Sequence, residues 1–277
     1  MSKILAPIFI AFEVEIDSYE FSSGLTIRKI TDTELKDFFG GIYEFENQLV
    51  KTVKPLMNID NFWDDFLAEE PIASLREMYV PYYVIESDDL NNVIDLLAVI
   101  RLIGGSVFCP KAFHADGTRV SYFYLRPTCA VSMLEMKNDD LEKVRSYVSK
   151  YSAYKNSVLK NRLIRCFDSN NDRNIIFIEA VSIVESIVCK DSKSELRYRF
   201  SLLTSLCAKN NGLQFGFDLM RKIYDIRSDL VHSGTSSKFA DDIFCHALEL
   251  MKVVVLDDIQ DGKLNERLLE QINKFVN

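Results

Sequence analysis

Between Ile175 and Val188 the chain runs IIFIEAVSIVESIV, and on a helix of that length apolar residues fall on almost every side. Such a helix has no polar face to turn to water, so other helices must surround it. The flanking sequence supplies them. Asp139 to Tyr151 and Lys155 to Phe167 read as amphipathic helices, and the polar break at Asn170 to Asn174 can cap the apolar helix. Leu196, Phe200, Leu203 and Cys207 make one apolar stripe, and Ile223, Ile226 and Leu230 make another, extended backward by Phe215 and Leu219. Ala240, Ile243, Ala247, Leu250 and Val254 pattern a further helix, and Leu264 to Phe275 the last. Residues 138–277 are therefore expected to form an all-α bundle of about seven helices. Glu185 sits inside the central helix among Val181, Ser182, Val188 and Cys189, a half-buried carboxylate that needs a partner.

Residues 1–137 have a different pattern, and the expected fold class there is α+β. Pro7 to Ile16 and Leu25 to Ile30 read as strands. Thr31, with Glu34 three residues later, opens a helix that ends at Gly40-Gly41. Asn61 to Ala68 is a short helix, and Met78 to Ile85 a strand whose proline places it at an edge or bulge. Asp88 to Ile103 keeps helical spacing up to Gly104-Gly105, and Ser106 to Cys109 and Arg119 to Leu125 are further strands. His114 stands in a loop. Tyr79, Tyr82, Tyr83, Tyr122, Phe123 and Tyr124 can stack bases, although aromatic residues in strands more often belong to a core or sheet surface.

Composition narrows the chemistry. A net charge of −8 and a pI near 5.1 argue against a protein that coats nucleic acid by bulk electrostatics, so RNA contact would need a local basic patch. Lys190, Lys193, Arg197, Arg199, Lys209, Arg221 and Lys222 concentrate in the C-terminal half, where a solvated helical face explains them equally well. Six cysteines without a C-x-x-C pair fit neither a zinc site nor a disulfide scaffold and point to a reducing, cytoplasmic setting. The apolar opening Ile4 to Phe12 meets Glu13 and Glu15 at once, unlike a signal peptide, and no uncharged run is long enough to span a membrane. Marks of nucleotide hydrolysis, dinucleotide binding, zinc proteolysis and esterase action are missing, and three scattered histidines suggest no metal centre or cofactor.

The stretch Leu219 to Gly234, LMRKIYDIRSDLVHSG, carries Arg227, Ser228, Asp229 and His232 off its apolar stripe and stops at a glycine. Ser228 and His232, four apart, share one side. Arg227 and His232, five apart, lie about 140 degrees apart round an ideal helix, so they meet on one anion only if the helix end distorts or a second protomer contributes its own pair. A structural reading stands beside this: Arg227 in a surface ion pair with Asp225 or Asp229, and His232 capping the last carbonyls. Tyr224, three before Arg227, supports that side of the helix.

This R-x-x-x-x-H, preceded by Tyr224-Asp-Ile and followed by Ser233-Gly, resembles the signature of the HEPN superfamily, and within it the Apea-like branch. Ala180-Val-Ser-Ile-Val-Glu185-Ser-Ile is similar to that branch's helix with an embedded acidic residue, and Glu195-Leu-Arg-Tyr-Arg-Phe-Ser-Leu-Leu to the helix after it. The resemblance implies a HEPN-like bundle behind a sensor or regulatory domain. It implies a metal-independent endoribonuclease, a homodimer whose site is composed where protomers meet, with Arg227, His232 and Ser228 catalytic and Glu185, Tyr224 and Asp229 accessory. Asn or Asp is more familiar in the family where Ser228 stands. A toxin-like or antiviral role with a phage-derived trigger is implied by analogy, and the alternative is a non-catalytic dimerisation or nucleotide-binding module. In a variant of the toxin scheme a tyrosine two residues after the motif His is modified; Gly234 stands there instead.

Overall fold

The computed structural model describes residues 3–8, 10, 12–31, 33–34, 83–104, 107, 109, 112–114, 120, 136–167, 172–190, 192 and 194–276. The expectations for Asn61 to Ala68, for Met78 to Tyr82, for the Gly40-Gly41 helix end and for most of Arg119 to Leu125 lie outside these residues. The chain divides into two compact units, 1–148 and 149–277.

The first unit is built on a five-stranded antiparallel sheet: β1 (Ile4–Ile8), β2 (Ser18–Ser22), β3 (Leu25–Lys29), β4 (Tyr83–Ser87) and β5 (Phe113–His114), in the order β2-β3-β4-β1-β5. β1 begins earlier than Pro7 and ends at Ile8, because all five of its residues are buried; the strand is a continuous apolar run, not an alternating segment. β5 reaches only Ile4 and Leu5, so Pro7, which has no N–H to give, lies beyond that pairing. β2 escaped prediction because it is short and mostly exposed. It forms a hairpin with β3 across Gly24, whose φ of 78 suits glycine and whose missing Cβ would meet Asp88 Oδ2 at 3.0 Å. β4 is an inner strand between β3 and β1, and not an edge. His114 belongs to β5, opposite Ile4, and not to a loop. Tyr83 is core, its ring edge-on to Phe12 at 4.7 Å, which leaves it no face for a base.

Two sequence signals work here as expected. Thr31 and Glu34 form a reciprocal capping box: Glu34 N–H donates to Thr31 Oγ1 at 3.2 Å and Thr31 N–H to Glu34 Oε2 at 2.9 Å. Helix α1 (Leu90–Ile103) starts at Asp89, whose carboxylate accepts from Asn91 N–H, and ends at Gly104 in the left-handed region.

The rest is mostly helical: α2 (Asn138–Ala153), α3 (Ser157–Cys166), α4 (Arg173–Val188), α5 (Leu196–Asn210), α6 (Phe217–Ser233), α7 (Asp241–Asp258) and α8 (Leu264–Val276). The division between the two units falls inside α2. In the second unit α4 is the hub. It starts at Asp172, which caps Asn174 N–H from within the predicted polar break, and it packs against α3, α5, α6, α7 and α8. Nine of its sixteen residues are buried, the outcome its all-round apolar sequence dictates. Asp258, buried at the end of α7, accepts from Leu264 N–H at 3.2 Å and from the Tyr154 hydroxyl at 2.5 Å, tying α8 and the α2–α3 connection to α7. No described helix is long and apolar enough to cross a membrane.

Candidate functional site

Ile223, Ile226 and Leu230 of α6 are buried, as their period predicts, and with Met220 they seat the helix against α5 and α4; Leu219 and Phe215, which the stripe also named, are only half-buried, and Met220 takes the buried place beside Ile223. The helix stops at Gly234, φ 73, whose N–H donates to Leu230 O at 3.1 Å.

Arg227 lies on the flank facing α4, its side chain 25% exposed. Its Nη2 donates to Ser182 Oγ at 3.3 Å and stands 3.9 Å from Glu185 Oε2, close enough for an ion pair and too far for a hydrogen bond. Arg227 Nε and Glu185 Oε2 are both buried, and neither has a hydrogen-bond partner among the described residues. Glu185 also acts on its other neighbours. The Tyr224 phenol is held above its usual range, by burial first and the Glu185 charge second. Burial, and after it Glu185, pushes the Cys189 thiol up to about 12. Tyr224 is half-buried, its ring tilted against Phe200 at 5.2 Å.

The aspartates considered as surface partners of Arg227 are engaged elsewhere. Asp225 is gripped by Arg197, whose Nε and Nη2 each reach it at 2.5 Å, and Asp229 accepts from Ser236 Oγ at 3.2 Å. Arg221 pairs with Asp218 at 3.2 Å. Two of the basic residues concentrated in this half thus have their charge matched locally, and the patch is weaker than its composition suggested.

His232 is exposed in the last turn of α6, and Ser228, one turn back on the same side, is half-buried; neither has a hydrogen-bond or ion-pair partner among the described residues. One protomer therefore brings Arg227 together with Ser182, Glu185 and Tyr224, while no hydrogen bond or ion pair among the described residues joins His232 or Ser228 to that group. Asp229 is exposed. Sequence reasoning singles out Ser182 only as a neighbour of Glu185. Its three-residue spacing from Glu185 puts both on one side of α4, a signal that marks it as a second polar group aimed at α6.

His246 packs edge-on to Phe215 at 4.9 Å, with a buried Nδ1 that lacks a partner among the described residues. No group of three or more His, Cys, Asp or Glu side chains among the described residues is arranged to hold a metal ion. No family model matches the chain, and no curated protein or solved structure resembles it closely enough to count as a match.

Proposed function

We propose that the protein is a metal-independent endoribonuclease of HEPN type, a cytoplasmic, toxin-like or antiviral effector that acts as a homodimer and holds RNA between protomers. Cleavage of this kind needs a base for the 2′-hydroxyl, charge stabilisation on the pentacoordinate phosphorus, and a proton for the departing 5′-oxygen. His232 performs the proton transfers, an imidazole being able both to accept a proton and to donate one. Arg227 stabilises the phosphorane through a guanidinium that keeps its charge throughout. Ser228 orients the imidazole or donates to phosphate. The products are a 2′,3′-cyclic phosphate and a 5′-hydroxyl.

The observation that carries this reading is the state of α6's polar groups. His232 is exposed and unengaged within the described residues, and Arg227 is neither locked in a hydrogen-bonded salt bridge nor neutralised by the nearby aspartates. Structured RNA incubated with the purified protein in EDTA tests it. Cleavage that both Arg227→Ala and His232→Ala abolish, with folding intact, supports the enzyme, and equal background in all three overturns it.

One observation favours a second reading, a non-catalytic module that dimerises or binds nucleotide. Within a protomer Arg227 turns toward Ser182 and Glu185 while His232 is exposed in the last turn, about 140 degrees further round an ideal helix, so their joint action rests on a second copy or on movement. A folded protein that dimerises or binds nucleotide and yet leaves RNA intact would decide for the module.

A further inference from the structure

The Arg227 guanidinium has two unlike ends. Nη2 is held by Ser182 and faces Glu185, and Nε beside it is buried. Nη1 has no hydrogen-bond partner among the described residues and is not among the buried unpartnered atoms, so it keeps some exposure to solvent, in a side chain that is 25% exposed. An arginine whose Nε and Nη2 edge is turned into its own bundle cannot present that edge to a phosphate; the end that remains is Nη1.

We propose that Ser182 and Glu185 are positioning residues that hold the inner edge of Arg227 against α4, so that it meets an RNA phosphate end-on through Nη1. This rests on the reading of the site as an RNA site. The arrangement of α4 supports it: Ser182 and Glu185 are three residues apart on a helix fixed by five neighbouring helices, and among the described residues of α4 they are the polar groups that face Arg227. Ser182 is 9% exposed, so its hydroxyl has little access to water as an alternative partner. The 3.9 Å gap to Glu185 leaves the pair unclosed, and the carboxylate attracts the guanidinium without capturing its outer end.

The sign of one effect separates positioning from mere proximity. A carboxylate that is only a bystander repels a bound phosphate, so Glu185→Gln would tighten RNA binding; a carboxylate that positions Arg227 makes the same change weaken it. The probe is a 2′-O-methyl oligoribonucleotide, which lacks the nucleophilic hydroxyl, titrated by fluorescence anisotropy against the full chain. Glu185→Gln and Ser182→Ala are each measured alone and in an Arg227→Ala background, with thermal midpoints recorded throughout. The expected result is weakening on the order of tenfold for Glu185→Gln and less for Ser182→Ala, binding restored in Ser182→Thr, and no further loss from either change once Arg227 is removed. Tighter or unchanged binding in Glu185→Gln, equal losses with and without Arg227, or wild-type binding that does not depend on Arg227 overturns the proposal. If Glu185→Gln does not fold, Ser182→Ala in the two backgrounds decides alone. Arg227-dependent binding with this pattern but without cleavage of ordinary RNA would remove the nuclease reading and leave the positioning role in place.

Discussion

Arg28 in the sheet unit and Arg227 in the helical unit are exposed to nearly the same degree, 26% and 25% of their side chains, yet their surroundings are opposite. Arg28 gives Nε to Glu86 at 2.9 Å, Nη1 to Glu34 at 2.9 Å and to the Lys29 carbonyl at 3.1 Å, and Nη2 to Glu34 at 2.6 Å. Every nitrogen of that guanidinium serves the fold, and Glu34 is held down to about 2 in return, by the Arg28 hydrogen bonds first. Arg227 has one hydrogen bond, one unclosed ion pair and one buried donor without a partner among the described residues. Burial therefore does not distinguish a structural arginine from one with capacity for a ligand, whereas the fraction of its donors already satisfied does.

The largest effect that can break this contrast is on activity. Arg227→Ala should lower RNA cleavage about a hundredfold to a thousandfold while moving the thermal midpoint by no more than a few degrees. Arg28→Ala should do the reverse, leaving cleavage unchanged and destabilising residues 1–148 by about 1–3 kcal/mol, seen as faster amide exchange in β3 and β4. An exchange of these outcomes would remove the distinction between the two arginines.

A smaller effect comes from pH. Glu34 has a folded pKa below its ordinary value, so its contribution to stability is complete above about pH 4.5 and is lost as pH falls toward about 2. Glu86 is shifted in the same direction by Lys3 and Arg28. Acid titration of the sheet unit should therefore show a loss of stability in that window, flattened in Arg28→Ala and reduced by added salt, because these groups are partly exposed. The smallest expected change is in Tyr224→Phe, which keeps the ring packed on Phe200; cleavage should stay within about twofold of wild type, and a larger loss would give the hydroxyl a role beyond support.

How much of this was legible in the sequence depended on whether the signal was local. Ile175 to Val188 announced a central helix because its burial is written on every side of the segment, and α4 is the hub of the bundle. Thr31 with Glu34, Asp89 and Gly104 announced helix ends because capping is a contact between residues a few positions apart. The sheet was less legible. β1 is covered on both faces and so lacks alternation, β2 is too short and polar to stand out, and β5 has only two residues, its pairing with Ile4 and Leu5 set by residues more than a hundred positions away. At the candidate site the helix, its buried stripe and its glycine stop were readable, and so was Glu185's need for a partner. That the partner is Arg227, that Ser182 joins it, and that Asp225 is occupied by Arg197 depend on how α4, α5 and α6 pack, which no periodicity encodes.

Joint action of Arg227 and His232 on one phosphodiester is tested most directly by single-turnover cleavage rates, in EDTA, for wild type, Arg227→Ala, His232→Ala and the double variant. Groups that serve one transition state lose their effect together, so the double variant should be no slower than the slower single variant. Losses that multiply, or a wild-type rate no faster than that of the variants, would contradict the account.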